Sequence, residues 1–272
     1  MSDETQSEFW TKRAEHWQKT APKDASASDA NQLLIRCADI GPGKRCLDLA
    51  SGVGDPALSI ALVVGESGSV VASDASAKML QGARDRAAEL GLGNMSFENT
   101  SMEALPFEDH AFDAVTCRFG LMHAGDPLAG LREARRVLRP GGKAAFMVHG
   151  PADKNTQWTV LHLSVQAFLD IDDQARFDKH YKFSADGELA ALFAEAGFTD
   201  IQDELTVTTI TEDVGGNFWE KSLLRSFGNR VEGLDADALA ALNEAVAEAF
   251  LPFRKNGTYE LWSSNRVAWG AA

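Results

Sequence analysis

Cysteine is scarce in this sequence. The 272-residue chain holds three, Cys37, Cys46 and Cys117, with no CxxC pair and no Cys/His cluster. That count excludes a disulfide framework and gives no sign of a zinc site, so no metal is expected. Long apolar runs are missing as well. None approaches the ~20 residues needed to cross a bilayer, so no membrane span is expected. The start, Met1 to Glu8, is polar and acidic and lacks the basic residues and apolar run of a signal peptide. A reducing, cytoplasmic setting is the expectation. Positive charge is the third shortage: 26 Lys+Arg stand against 40 Asp+Glu, a formal net charge of -14. The densest basic cluster, Arg132 to Arg139, contains Glu133 and reads as one amphipathic helix. A surface of this sign repels phosphate backbones, so nucleic acid is not expected as a partner.

What remains is an ordinary globular composition, 44% hydrophobic and 24% charged. Apolar runs alternate with helical patterns through the first two thirds. Arg45–Leu49, Ser69–Ser73, Met95–Asn99, Phe112–Cys117 and Lys143–Val148 read as strands. Pro56–Val64, Ser76–Leu90 and a segment near Leu128–Leu138 read as helices between them. Strands separated by helices of this size argue for βαβ units and a parallel sheet covered on both faces. After Gly150 the pattern changes. Ser184–Ala196 reads as a helix with Ser184 as N-cap and Gly197 as its stop. Ile201–Ile210 and Tyr259–Trp269 read as strands, and Asp235–Phe250 as an Ala-rich helix. Residues 31–272 therefore form the main domain, interrupted by helical insertions at about 151–183 and 212–257 that suit a substrate cap. Residues 1–30, polar but carrying Phe9, Trp10 and Trp17, suit an N-terminal lid.

The densest chemical signal is Leu47-Asp48-Leu49-Ala50-Ser51-Gly52-Val53-Gly54-Asp55-Pro56. A strand runs into a loop of small residues and a helix opens at once, with Asp55 able to cap it and Pro56 suited to its first turn. Small residues let a ligand touch the backbone, and a helix N-terminus favours a negative group. Asp74, at the end of the next strand, is placed to accept hydrogen bonds from ribose hydroxyls. Gly52-x-Gly54-x-x-Ala57 also fits the dinucleotide fingerprint, so the loop alone leaves a nicotinamide-dependent oxidoreductase open.

The wider sequence separates the two. Asp48 to Gly54 resembles the first motif of class I S-adenosylmethionine-dependent methyltransferases. In order there follow Val71-Ala72-Ser73-Asp74 with Met79-Leu80, Ser101 to Phe107 with Phe112-Asp113-Ala114-Val115, and Val137-Leu138-Arg139-Pro140-Gly141-Gly142-Lys143. Each is similar to the family's corresponding motif. Together they cover residues 35–150, and the branch most similar is the quinone-biosynthesis C-methyltransferases with their small-molecule relatives. Two positions depart from the pattern. Ala50 stands where the family usually has its first glycine, and Ser101 where an acid usually reaches the adenine amine.

The resemblance implies an α/β fold: a doubly wound, mostly parallel seven-stranded Rossmann-like sheet with helical cap insertions and a last antiparallel strand. It implies S-adenosyl-L-methionine as cofactor and a small, largely apolar methyl acceptor as partner, modified at O, N or C. Asp48, Ala50, Ser51, Gly52 and Gly54 then belong to the loop under the methionine portion. Asp74 holds the ribose, Ala75 and Met79 flank the adenine, Ser101 and Met102 lie at the adenine edge, and Arg118 begins the loop beside the methionine amine. Trp17 is the candidate ring for cation–π contact with the sulfonium. His123 and His149, each following a strand, are the candidate general bases, facing an acceptor cavity under the cap. A third reading keeps the fold and cofactor but not catalysis, since fold does not imply activity.

Overall fold

The computed structural model describes residues 6–20 and 28–272. Of the 1–30 lid segment, residues 1–5 and 21–27 therefore lie outside the described residues. In chain order the elements are α1 (Gln6–Thr20), α2 (Asp29–Cys37), β1 (Arg45–Leu49), α3 (Ala57–Val64), β2 (Ser69–Asp74), α4 (Ala77–Glu89), β3 (Met95–Asn99), β4 (Phe112–Arg118), α5 (Pro127–Val137) and β5 (Leu138–His149). There follow α6 (Thr156–Leu169), α7 (Gln174–His180), α8 (Glu188–Glu195), β6 (Thr199–Asp213), α9 (Glu220–Val231), α10 (Ala236–Phe250), β7 (Arg254–Lys255) and β8 (Thr258–Ala271).

The strands lie in the order β3-β2-β1-β4-β5-β8-β6, seven on the main path, with the two-residue β7 pairing only with β8. The pairs β1/β2, β1/β4, β2/β3 and β4/β5 are parallel. β1 and β2 are buried along nearly their whole length, as central parallel strands covered on both faces must be. β8 runs antiparallel to β5: Ala272 N–H donates to Gly142 O, and Gly150 N–H to Ser264 O, each at 2.9 Å.

The chain separates into two compact units. The α/β unit takes the described residues up to Val148 with Ala185–Glu204 and Arg266–Ala272. Its core is aliphatic: Leu34, Ile60, Val64, Val70, Leu80, Met147 and Val267 pack together. The helical unit takes His149–Ser184 and Leu205–Asn265. Its core is aromatic-rich, with Trp219, Phe227, Phe250 and Tyr259 packed on Leu161, Leu242, Val246 and Leu261.

Helix starts follow the short polar residues before them. Ser28, Ser76, Asp126 and Asp235 accept from the N–H of Asn31, Met79, Ala129 and Ala238. Three expected details need correction. Pro56 is the N-cap of α3 and not its first helical residue, and it brings no side-chain cap. Asp55 does not cap that helix either; its carboxylate turns to Arg86 at 3.0 Å. The helix expected from Ser184 begins only at Glu188, after Gly187 in a left-handed conformation. Glu188 Oε2 accepts from Ala185 N–H at 3.3 Å, so the cap comes from inside the helix and reaches back. The strand expected from Lys143 begins at Leu138, with a register shift opposite Phe112/Ala114 that accommodates the Pro140-Gly141-Gly142 turn.

Candidate active site

The site is built at the C-terminal ends of β1, β2 and β4, where ligands meet open α/β sheets. β1 delivers Asp48, which is fully buried. Its Oδ1 accepts from Thr116 Oγ1 at 2.6 Å and its Oδ2 from the Ser51 hydroxyl. Burial pushes this carboxyl up to about 7, against the pull of those two donors. Asp48 therefore lies beneath the loop and braces it, with no face left for a ligand.

Above it the chain turns sharply. Ala50, Gly52 and Gly54 have φ of 51°, 55° and 104°. At Gly54 a Cβ would come within 2.9 Å of Leu58. Ala50 meets the same backbone demand with a side chain, a cost of roughly 1–2 kcal/mol for an L-residue held at that φ. Alanine is thus small enough for close approach, yet the position wants glycine for its conformation as well. Ala50 also occupies a contact that keeps its neighbour bare, since a Cβ on Gly120 would lie 2.5 Å from Ala50 Cβ.

Asp74 closes the loop from the side. Its Oδ2 accepts from Gly52 N–H at 2.9 Å and its Oδ1 from Ser76 N–H at 2.8 Å. Burial raises the pKa of this carboxyl as well, while the two N–H groups oppose the rise. Each oxygen keeps a further lone pair for a ligand hydroxyl. Next to it Ala75 is exposed and Met79 buried. Ser101 is exposed, its hydroxyl accepting from Glu103 N–H at 3.3 Å. Met102 packs where Cβ atoms on Gly120 and Gly130 would sit, at 3.4 and 3.1 Å.

α1 lies over this ground. Ser7 Oγ donates to Ala75 O at 2.9 Å, Thr11 Oγ1 meets Ser76 Oγ at 2.8 Å, and Glu15 pairs with Lys78 at 2.7 Å. Trp10 packs with Ala14, Val53 and Met79 and meets the His123 ring edge-on at 4.9 Å. Trp17, the ring expected over the cofactor, is 37% exposed and touches Trp10 at 6.4 Å. Of the two tryptophans, Trp10 is the one packed on the glycine loop.

His123 ends a short 3-10 turn, Leu121–His123. Glu103 fixes the backbone that follows, its Oε1 accepting from Gly125 N–H at 2.7 Å and Asp126 N–H at 3.0 Å. Arg118, at the end of β4, donates from Nη1 to Asn31 Oδ1 at 2.6 Å, and Asn31 Nδ2 donates to Ser59 Oγ at 2.8 Å. Asn31, Ser59 and Thr116 carry no sequence signal, being isolated polar residues in apolar surroundings, and Glu103 lies within the Ser101–Phe107 motif without a role assigned from sequence.

His149 lies in the helical unit, at one end of a column of rings. It stacks on His180 at 4.0 Å, His180 on Trp158 at 3.6 Å, and Trp158 on His162 at 4.9 Å. Phe177, Tyr181 and Phe227 pack around Trp158, and Arg176 lies 4.5 Å from the Phe227 ring. Tyr181 bonds Thr159 at 2.7 Å, and burial pushes its hydroxyl up to about 12. His162 is buried, and burial lowers its pKa, which favours the neutral ring. The large apolar residues of the helical unit divide: Leu161, Trp219 and Phe227 are core, whereas Leu163 and Trp262 are exposed. Among the described residues there is no cluster of His, Cys, Asp and Glu fit to hold a metal. No helix among them is long and apolar enough to cross a membrane.

Residues 30–162 match the model of the ubiE/COQ5 methyltransferase family. The ubiquinone/menaquinone biosynthesis C-methyltransferase UbiE of Stenotrophomonas maltophilia is 47% identical over 117 residues, 43% of this chain and 46% of that protein. The UbiE protein of Cronobacter sakazakii is 41% identical over 113 residues, 41% of this chain and 45% of that protein. The matches thus span just under half the length of these relatives. The crystal structure of the YcgJ protein of Bacillus subtilis superposes with a TM-score of 0.58 at 24% identity, covering 89% of this chain and 97% of that one, and shares the fold. Residues 30–162, just under half of the chain, are thus similar to the ubiE/COQ5 methyltransferase family and to its quinone C-methyltransferases.

Proposed function

We propose that this chain transfers a methyl group from S-adenosylmethionine to a small, largely apolar molecule, at oxygen, nitrogen or an activated carbon. The observation that carries the reading is the sharp loop around Gly52 and Gly54, both at positive φ, with Gly52 N–H latched to Asp74, lying inside the matched segment. The residues fit such a cofactor. Ala50, Ser51, Gly52 and Gly54 offer backbone to its methionine portion, with Asp48 holding them from below. Asp74 has acceptor capacity for a ribose diol. Ala75 and Met79 flank the adenine, and Ser101 and Met102 meet its edge. Arg118 stands at the amino-acid end. Trp10, with Trp17 behind it, supplies the aromatic surface near the sulfonium.

The cofactor supplies an electrophilic methyl group and leaves as a neutral thioether, so no new anion needs stabilising at the leaving group. What the chain contributes is positioning, which in well-aligned systems is worth roughly 7–11 kcal/mol of the barrier. α1, docked over the loop, keeps water from it. His123 and His149 are the rings assigned to take a proton from an oxygen or nitrogen acceptor. The ring-rich helical unit supports a flat apolar acceptor, and the similarity to UbiE supports carbon methylation of a quinone-like ring. The acidic balance speaks against nucleic acid as acceptor, and three buried free cysteines suit the reducing cytoplasm.

Thermal shift tests the cofactor directly: S-adenosylhomocysteine should raise the melting temperature, and NADH and NADPH should not. Stabilisation by NADH alone would replace this reading with an oxidoreductase. With an acceptor found by a methyl-incorporation screen, His123→Ala should lower kcat by roughly 10²–10⁴-fold at constant S-adenosylhomocysteine affinity. A kcat within a few-fold of the parent would make His123 a packing residue. Binding without transfer to any acceptor would leave a cofactor-binding protein.

A further inference from the structure

Arg118 is a cation with an unusual set of partners. Nη1 donates to the side-chain oxygen of Asn31 at 2.6 Å. Nε is shut off from solvent and has no hydrogen-bond partner. No carboxylate among the described residues comes within ion-pair distance; Asp48 is bound to Thr116 and Ser51, and Asp55 to Arg86 at 3.0 Å. The third nitrogen, Nη2, is the one left for a ligand. Burial weakens the protonated form of Arg118, and Asp55 and Asp48, acting from a distance, support it. The tether is itself fixed: Asn31 is fully buried in α2 and donates to Ser59 of α3 at 2.8 Å. Because Asn31 Nδ2 must donate to Ser59, its Oδ1 is left to face Arg118.

A guanidinium held by a carboxylate is already neutralised. One held by a neutral amide keeps its charge for an incoming anion, and its direction is set by the amide. The position beside the glycine loop, at the end of β4, is where the amino-acid end of the cofactor would lie. We propose that Asn31 is a positioning residue that holds Arg118, uncompensated, so that Nη2 receives the carboxylate of the cofactor's methionyl group. This rests on the cofactor reading above and adds to it a residue 87 positions from its partner, on an element outside the glycine-loop motif. The orphaned Nε marks the cost of the arrangement, a desolvated N–H accepted so that the charge stays available.

The test compares two ligands by calorimetry. S-adenosylhomocysteine carries the amino-acid end; 5′-methylthioadenosine has the same adenosine and thioether but no carboxylate. In the parent protein the first should bind more tightly. Asn31→Asp keeps a tether for Arg118 but cancels its charge, and Asn31→Ala removes the tether. Both should weaken S-adenosylhomocysteine by about tenfold or more, the usual effect of losing a charge-assisted hydrogen bond, and leave methylthioadenosine within about twofold. Unchanged S-adenosylhomocysteine affinity in Asn31→Asp, or equal loss of both ligands, would overturn the inference and make Asn31 a packing residue. A parent protein that binds neither ligand would overturn the cofactor reading itself. Asn31→Asp, which keeps a hydrogen-bonding side chain in the buried position, keeps the test decisive where Asn31→Ala fails to fold.

Discussion

In the α/β unit one set of buried polar groups converges on one loop. Asp48, Ser51, Ser73, Thr116 and Asp74 are all within a tenth of full burial, and their bonds run to one another or to the backbone between Asp48 and Ser76. In the helical unit what converges is rings: Trp158 alone contacts His162, Phe177, His180, Tyr181 and Phe227. Short side chains on strand ends have few rotamers and fix atoms to fractions of an ångström, which suits a ligand of constant shape. Stacked rings hold one another by area and quadrupole, a softer constraint that tolerates a change in what they touch. The two units differ, then, in how tightly each fixes its own buried side chains.

That contrast is open to attack from several sides. The largest expected effect is from Trp158→Ala, which removes the centre of the ring column. It should cost about 3–5 kcal/mol of stability, read by chemical denaturation, while S-adenosylhomocysteine affinity stays within about twofold. A parallel collapse of affinity would mean that the two units do not divide the work. Asp74→Ala should do the reverse. It strips Gly52 and Ser76 of their acceptor, and cofactor affinity should fall roughly 30- to 100-fold, about 2–3 kcal/mol. Unaltered binding would reduce Asp74 to a loop brace.

Asp48 makes the α/β unit sensitive to pH. Its folded pKa of about 7 lies above the ordinary aspartate value of 3.8, so the folded protein holds the proton more tightly than the unfolded chain. The stability it contributes is therefore full below about pH 4 and is lost as pH rises through about 7. Asp48→Asn carries no such charge. Its stability relative to the parent should climb by a few kcal/mol between pH 4 and 8, while the lost match to Thr116 or Ser51 lowers it by the same amount at every pH. A difference that is flat with pH would show that Asp48 is not the buried acid described. The smallest effect belongs to Ala50→Gly. Relief of the left-handed strain and the added freedom of the unfolded chain nearly cancel, leaving a gain under about 1 kcal/mol in thermal melts. Destabilisation beyond that would mean that the contact between Ala50 and the bare backbone of Gly120 outweighs the strain.

Much of the α/β unit was legible because its signals are local. A buried strand, a small-residue loop and a helix follow one another within Leu47–Val64, and an acid ends the next strand at Asp74; neighbours in sequence are neighbours in the site there. Ser76, Asp126 and Asp235 reach N–H groups three residues on, a range that a sequence displays directly. The helical unit was legible only as helical and aromatic. Its column joins His149, Trp158, His162 and His180 across three elements, and nothing in the spacing says which rings will stack.

Where local cues competed, packing decided. Ser184 is as good a cap as Ser76, yet α8 begins at Glu188 because Gly187 supplies the left-handed turn and Glu188 reaches back to Ala185. Trp10 and Trp17 are seven residues apart and share a helix face, so their spacing puts a ring on that face without saying which of the two will pack. The docking of α1 through Ser7, Thr11 and Glu15 chose Trp10, setting it against Val53 and His123. The pairing of Asn31 with Arg118 is the furthest from reach of any local rule. It depends on α2 and β4 arriving side by side, and a hydrogen bond has no range along the chain, only through space.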